Sequence, residues 1–187
     1  MRSPQKKMLN CQVGSPPFVP FHPFLLQLGL LPQSLGKCYT WWYFNEELMQ
    51  YTGLEKSLLA FKKTFEEQGP FDGILGFSQG TAMAAVLCAL KNQGKPENAW
   101  LNFKFAILVS GFKPRAKELA EICSVPLDVP SLHIIGDTDV KVAPEKSVDL
   151  MTSFSAPEIY RHPGGHYVPS DPATRDAIVA FVSKYLS

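Results

Sequence analysis

The sequence predicts an α/β fold with a mainly parallel sheet flanked by helices, and three observations carry that prediction. Short, continuous apolar runs alternate with segments whose apolar residues recur at helical spacing. Glycine and proline separate these segments, as expected where strands and helices are joined by short turns. The pentapeptide Gly76-Phe77-Ser78-Gln79-Gly80 ends one apolar run and opens the next, which is the context of a sharp strand-to-helix turn.

The chain divides at about residue 40. Its 187 residues, 45% hydrophobic and 19% charged, suffice for one globular domain with a sizeable core. Residues 1–40 are rich in Pro, Ser and Gln and predict an irregular, divergent N-terminal segment, with at most a short apolar element at Phe24–Leu31. Residues 41–187 predict the regular α/β domain.

Composition excludes several classes of protein. A net charge of +1 without a basic run argues against nucleic acid as a partner. The apolar stretch over residues 74–90 is interrupted by polar residues from Ser78 to Thr81, which predicts a buried strand and helix and no membrane span.

Neither cysteines nor histidines form a metal-binding pattern. Four scattered cysteines without a C-x-x-C motif predict a reduced, intracellular protein. The expected location is the cytoplasm, with the nucleus as an additional location. His162 and His166 are separated by Pro163-Gly164-Gly165, so no helix presents both to one ion. We therefore expect no metal and no cofactor.

The first elements of the domain surround the pentapeptide. Thr52-Gly53-Leu54-Glu55 has the form of a capping box and predicts a helix that ends at Gly69-Pro70. A strand is predicted over residues 72–77. The helix that follows is predicted to bury one stripe, made of Met83, Val86, Leu87 and Leu90.

The remaining elements continue the alternation. Residues 103–110 are apolar apart from Lys104 and Ser110 and predict a strand buried on both faces. Asp171-Pro172 predicts the start of the last helix, because proline suits the first helical turn. The predictions between these two are a helix at 117–122, a strand at 131–135, a helix at 144–153 and a strand at 158–161.

Three side chains with complementary chemistry follow three predicted strands. A serine hydroxyl needs a base to take its proton, and that base needs a carboxylate to orient it. Ser78, an aspartate of Gly136-Asp137-Thr138-Asp139, and His166 occur in that order. Because the carboxyl ends of parallel strands meet at one edge of a sheet, the three groups can converge there.

The identity of the carboxylate is left open between Asp137 and Asp139. Asp139 is favoured because it lies farther from the strand end, where it can reach a neighbouring loop. Gly164-Gly165 is expected to give the histidine loop the backbone freedom that a close approach to Ser78 requires. The backbone N–H of Gln79 is the predicted oxyanion donor.

Each of these residues also has an ordinary structural interpretation. Ser78 fits a plain turn, Asp139 a loop cap and His166 a surface loop. Their combination in this order, each after a strand, favours the catalytic interpretation over three coincidences.

Four segments in sequence order carry a resemblance that runs from about Trp41 to the C-terminus: 76–80, 109–112, 136–139 and 164–169. Together they resemble the serine hydrolases related to the yeast FSH proteins and LovG, in the α/β-hydrolase superfamily. The resemblance implies Ser78 as nucleophile, Asp139 as acid and His166 as base of a carboxylic ester hydrolase. It further implies an acyl-enzyme and a preference for long-chain alkyl esters as small-molecule substrates. An acyl thioesterase of the same mechanism is the alternative.

The chain departs from this family at its N-terminus. The family opens with an apolar strand that ends in a Leu-His-Gly-like turn, which supplies a second oxyanion N–H, and residues 1–40 contain no such turn. We therefore expect a sheet that lacks the first strands, with strand 72–77 exposed at its edge. Loss of one oxyanion donor typically costs about 3 kcal/mol of transition-state stabilisation. A catalytically impaired chain that acts as a binding protein is thus a further interpretation.

The aromatic run Trp41-Trp42-Tyr43-Phe44 has two interpretations of similar weight. It fits one wall of an acyl pocket, and it equally fits ordinary core packing. The complete set of predicted pocket residues is Trp41, Trp42, Phe77, Phe112 and Val140.

Overall fold

The computed structural model describes residues 40–186 together with the backbone of Met8–Cys11. Its main sheet has five strands that lie side by side in chain order, and every neighbouring pair is parallel. The strands are β1 (Met8–Cys11), β4 (Gly73–Phe77), β5 (Phe105–Val109), β6 (Ser131–Gly136) and β7 (Pro157–His162). The helices are α1 (Leu54–Gln68), α2 (Gln79–Asn92), α3 (Lys117–Ile122), α4 (Pro144–Met151) and α5 (Pro172–Ser183), and a small antiparallel hairpin consists of β2 (Tyr43–Asn45) and β3 (Gln50–Thr52).

Strands β4, β5 and β6 form the centre of the sheet. All residues of β5 and β6 are buried, and for β5 the apolar run predicted this burial on both faces. β7 is half-exposed along most of its length because it lies at the edge of the described sheet. The predicted α/β architecture with a mainly parallel sheet is confirmed.

The structure adds a strand where the sequence predicted none. Met8–Cys11 pairs in parallel with β4, opposite Gly73–Gly76, so the expected exposed edge of strand 72–77 is covered. Four residues inside a segment rich in Pro, Ser and Gln are too short for periodicity to reveal. The other residues of the predicted irregular segment, including Phe24–Leu31, lie outside the described part of the chain.

Helices cover both faces of the sheet. On one face α1 and α2 contribute Phe61, Phe65 and Met83 to a cluster that also contains Trp41 and Trp42. On the other face, Ile178 and Phe181 of α5 pack against residues of β5 and β6. Helix α2 is buried from Gly80 to Ala89 on all sides, so the predicted single stripe understates its burial. Among the described residues, no helix combines the length and apolar character needed to cross a bilayer.

The predicted capping box before α1 is wrong. Gly53 is the N-cap residue with φ 94°, and no side chain caps the helix, because Thr52 belongs to β3. Left-handed backbone of this kind is accessible to glycine at little cost. The start of α5 follows the prediction, since the Asp171 carboxylate accepts a hydrogen bond from the Thr174 N–H at 3.0 Å.

Candidate active site

Ser78 occupies a sharp turn between β4 and α2. Its backbone has φ 55° and ψ −120°, a strained combination for a residue with a side chain. The turn is anchored to the sheet because the Ser78 N–H donates to the Val109 carbonyl at 3.1 Å. A Cβ at Gly76 would lie 2.5 Å from the Gly80 carbonyl oxygen, so only glycine fits two residues before the serine.

Two short contacts link Ser78 to the side chains predicted as its partners. Ser78 Oγ lies 3.0 Å from His166 Nε2, and His166 Nδ1 lies 2.8 Å from Asp139 Oδ2. A carboxylate accepts only, so Nδ1 carries the proton and Nε2 is left to accept from the serine hydroxyl. The exposed fractions of the two side chains are 13% for His166 and 2% for Asp139, which keeps this pair largely away from water.

The loops that follow β6 and β7 hold each other in register. The Asp137 N–H donates to the His162 carbonyl at 2.8 Å, and the Thr138 N–H donates to the Gly164 carbonyl at 3.2 Å. Gly136 makes this approach possible, because a Cβ there would lie 2.5 Å from the Gly164 oxygen. Asp139 and His166 therefore meet because their loops pair as extensions of neighbouring strands.

The glycines of the histidine loop do not use left-handed backbone. Neither Gly164 nor Gly165 has a positive φ, which differs from the special freedom expected of them. At Gly164 the reason for glycine is space, since a Cβ would overlap the Tyr167 side chain. At Gly165 the nearest atom to such a Cβ is the Thr138 carbonyl oxygen, at an ordinary 3.4 Å.

Asp139, and not Asp137, is the carboxylate that reaches His166. Its Oδ1 accepts hydrogen bonds from the backbone N–H groups of Lys141 and Val142, each at 2.9 Å. Burial acts to raise the pKa of Asp139, but the hydrogen bonds from Val142 and His166, together with the nearby Ser110 hydroxyl, hold that pKa below its ordinary value. Asp137 instead pairs with Arg161 at the surface, with 2.6 Å between Oδ1 and Nη2.

The backbone N–H of Gln79, the predicted oxyanion donor, belongs to the first turn of α2. Gln79 is the first residue of α2, and N–H groups of a first helical turn have no acceptor within the helix. The positive end of the helix dipole adds to their attraction for negative charge. The missing His-Gly turn concerns residues 1–40, where only the backbone of Met8–Cys11 is described.

The side chain of Gln79 ties this turn to the Trp41-Trp42 segment. Its Oε1 accepts from the Trp41 N–H and its Nε2 donates to the Trp42 carbonyl, both at 3.0 Å. The two indole rings belong to the core, where Trp41 packs on Phe61 and Trp42 stacks on Tyr51. Of the two interpretations of the aromatic run, core packing describes what both rings do.

The other predicted pocket residues lie in different surroundings. The Phe77 ring is 4.8 Å from the His166 ring, centroid to centroid. Val140 is 93% exposed next to Asp139, so its side chain is not enclosed by any described wall. Phe112 is half-buried and lines a cavity of about 440 Å³ together with Val142 and charged residues.

Ser110 is the residue at this site that the reasoning from single residues missed. It follows β5 with φ 49°, is 1% exposed and lies close enough to Asp139 to lower the pKa of that carboxyl. Within the described residues its hydroxyl makes no hydrogen bond of standard geometry. A buried polar residue directly after an apolar strand was the available signal.

The chain is similar to a known family and to known proteins over most of its length. The family model for serine hydrolase (FSH1) matches residues 27–178. An esterase OVCA2 from Xenopus tropicalis is 44% identical over 156 residues, covering 79% of this chain and 66% of that protein. The human esterase OVCA2 is 38% identical over 155 residues, covering 78% of this chain and 67% of that protein.

The fold is also found among solved structures. The crystal structure of Zea mays acyl-protein thioesterase 2 superposes with a TM-score of 0.60 and 20% identity, covering 80% of this chain and 74% of that chain. At this identity the likeness shows the fold alone. The chain spans about two thirds of the length of the curated esterases it matches.

Proposed function

The chain belongs to the serine hydrolase (FSH1) family of α/β hydrolases, and on that premise we propose that it hydrolyses carboxylic esters through an acyl-enzyme formed on Ser78. One observation supports the proposal above the others. A continuous path of hydrogen bonds runs from Ser78 Oγ through His166 to Asp139, with contacts of 3.0 and 2.8 Å. The predicted roles of nucleophile, base and acid fit these three side chains.

The proposed reaction has two halves, and the same groups act in both. His166 Nε2 takes the proton of Ser78 Oγ as the oxygen attacks the ester carbonyl carbon, and Asp139 stabilises the imidazolium that forms. The Gln79 N–H donates to the carbonyl oxygen as it becomes negative. The tetrahedral intermediate then expels the alcohol, which takes the proton from His166. Water repeats the sequence on the acyl-enzyme and releases the acid.

A preference for long-chain alkyl esters is the finer part of the proposal. The apolar ring of Phe77, 4.8 Å from the His166 ring, provides a surface beside Ser78 on which an alkyl chain can lie. Rates on p-nitrophenyl esters of increasing acyl length test this part. A rise in kcat/KM with chain length supports it, and a maximum at the acetate contradicts it.

A thioesterase activity of the same mechanism is the second candidate. Acylation of Ser78 can expel a thiol in place of an alcohol, and the same acyl-enzyme results, so the described geometry serves both. Matched oxygen and sulfur esters of one acyl chain separate the two candidates by their ratio of kcat/KM.

An impaired chain that binds acyl ligands is the third candidate, favoured by the missing His-Gly turn in residues 1–40. One oxyanion donor in place of two lowers kcat by about 10²–10³. The triad variant Ser78→Ala, compared with Ser124→Ala at an exposed serine, measures whatever activity depends on the nucleophile. Equal rates for the two variants would favour the binding protein.

A cytoplasmic or nuclear location stays a prediction for microscopy of the tagged protein.

A further inference from the structure

A basic cavity opens at the same edge of the sheet as Ser78. It has a volume of about 440 Å³ and lies between the loop after β5, the loop after β6 and helix α4. Both loops follow the carboxyl ends of parallel strands, as the Ser78 turn does, so cavity and site share one rim. We call it the basic cavity, and its charged lining consists of Lys113, Arg115, Lys141, Lys146 and Asp149.

Two of these cations are held by fixed partners. Lys113 Nζ donates to Asp149 Oδ1 at 2.8 Å and to Thr152 Oγ1 at 3.2 Å. The Arg115 guanidinium lies over the Phe44 ring, 4.0 Å from its centroid. These contacts fix the position of two positive groups on the cavity wall. Among the described lining residues Asp149 is the one carboxylate, and Glu46 Oε1 lies 3.5 Å from Arg115 Nη1.

The other two cations have no such partners. Within residues 40–186, neither Lys141 nor Lys146 makes an ion pair or hydrogen bond through its ammonium group. Solvated lysines on an open surface need no explanation. Here they line a concavity with two further cations in a chain whose net charge is only +1. Since the charges of Lys113 and Arg115 are offset by Asp149 and Glu46, the excess positive charge of the concave wall comes from Lys141 and Lys146, and such an excess attracts anions.

The wall of the basic cavity is also part of the candidate active site. The backbone N–H groups of Lys141 and Val142 both donate to Asp139 Oδ1. Helix α4 is joined to the β5 loop because Ser147 Oγ donates to the Gly111 carbonyl at 2.9 Å. The cavity therefore shares its β6 loop with the carboxylate that orients His166.

We propose that the basic cavity binds an anionic group, a phosphate or a carboxylate, carried by the ester substrate. The inference rests on the proposed esterase function for its substrate part, whereas anion binding stands independently. Ammonium groups act as mobile point charges without the fixed fork of a guanidinium, so they suit either anion. Because the basic cavity and Ser78 lie at the same edge of the sheet, the protein would prefer ester substrates that carry a charged end.

Anion binding is tested without catalysis. Inorganic phosphate and acetate are titrated separately into the full-length protein, and backbone amide shifts near Lys141 are followed by NMR. The variant Lys141→Gln/Lys146→Gln is expected to bind about fivefold to tenfold more weakly, because two exposed ammonium groups are lost. The matched control is Lys63→Gln/Lys95→Gln, which removes two exposed charges away from the cavity and is expected to bind like the unaltered chain. Equal affinities for all three proteins overturn the proposal.

The substrate part is tested by a ratio of rates. p-Nitrophenyl esters of equal acyl length, with and without a terminal carboxylate, give the preference for the charged substrate, and a second pair carries a phosphate on the alcohol side. The preference for the charged member of at least one pair is expected to fall about fivefold in Lys141→Gln/Lys146→Gln and to stay in the control. Phosphate binding with unchanged ratios for both pairs overturns the substrate part. If no ester is hydrolysed, the proposed function fails, and the titration still decides anion binding.

Discussion

Ser78 holds backbone strain that its neighbours impose. A side chain at φ 55° and ψ −120° costs about 1–3 kcal/mol, which the hydrogen bond from its N–H to Val109 helps to offset. The strain points Oγ away from the sheet toward His166. A glycine at this position would keep the turn and remove both the strain and the nucleophile.

The comparison of Ser78→Ala with Ser78→Gly tests this strain. Both variants are expected to lose esterase activity. Ser78→Gly is expected to have the larger free energy of unfolding, by about 1 kcal/mol, because glycine tolerates positive φ. Urea denaturation monitored by circular dichroism measures the difference. Equal stabilities would show that the turn is not strained.

Ser110 tests how the Asp139 carboxylate is supported. Its hydroxyl lies close enough to Asp139 to lower the pKa of that carboxyl, so its removal is expected to raise the pKa and lower kcat/KM about threefold to tenfold. Ser110→Ala and Ser110→Gly should show the same loss, although only glycine relieves the φ of 49°. Wild-type kcat/KM in both variants would show that Ser110 does not support the Asp139 carboxylate.

Among the elements, helix α2 is fixed to the Trp41-Trp42 segment by one side-chain amide. Gln79→Met is expected to lower the free energy of unfolding by about 1–3 kcal/mol, because the Trp41 N–H loses the Gln79 acceptor and the Trp42 carbonyl keeps only the hydrogen bond from the Thr40 hydroxyl. Urea denaturation measures this loss. The control Gln93→Met changes an exposed glutamine that follows the same helix, and its stability is expected to match that of the unaltered chain. An equal loss in both variants would exclude a specific role for the Gln79 amide.

Strand β6 carries a buried histidine that makes stability depend on pH. Burial lowers the pKa of His133 from 6.5 to about 4, and its Nε2 lies 3.1 Å from Ser131 Oγ. The unfolded chain takes up a proton as pH falls below 6.5 whereas the folded chain does not. This contribution to stability is therefore complete above about pH 6.5 and is lost as pH falls toward 4.

The double variant Ser131→Ala/His133→Leu isolates this contribution. Between pH 7 and pH 5 the unaltered chain is expected to lose about 2 kcal/mol more of its free energy of unfolding than the variant does. Urea denaturation at the two pH values gives both differences. The same loss in both proteins would mean that His133 is not buried as a neutral group.

Elements with a strong local pattern were predictable from sequence, and those formed by tertiary contact were not. The strand predicted over residues 103–110 is β5, and the helix predicted over 117–122 is α3 with the same bounds. Apolar runs and turn residues, which are local features of the sequence, determine both elements. The hairpin of β2 and β3 was missed because its strands have three residues each. At the site, the order of Ser78, Asp139 and His166 predicted their convergence. The Gln79 amide contacts and the basic cavity depend on distances between loops, which spacing along the chain does not contain.

At the scale of the whole molecule, the parallel sheet brings three distant loops to one rim, and β1 covers the edge of β4. A chain that lacks residues 1–11 is expected to aggregate, because the backbone groups of β4 would be exposed. A chain that lacks residues 1–7 keeps the pairing and serves as the control. Light scattering during storage at one concentration compares them. Equal, low scattering would show that β1 does not protect this edge.

The proposed hydrolysis depends on Ser78 as an activated nucleophile, and reaction with a fluorophosphonate probe tests this most directly. Mass spectrometry of the labelled full-length chain is expected to place the probe on Ser78. Labelling is expected to be absent in Ser78→Ala and slowed in His166→Ala and Asp139→Asn, because the serine then lacks its base or the base lacks its orienting carboxylate. Absence of label at Ser78 in the unaltered chain, or equal labelling rates in His166→Ala, would contradict the account.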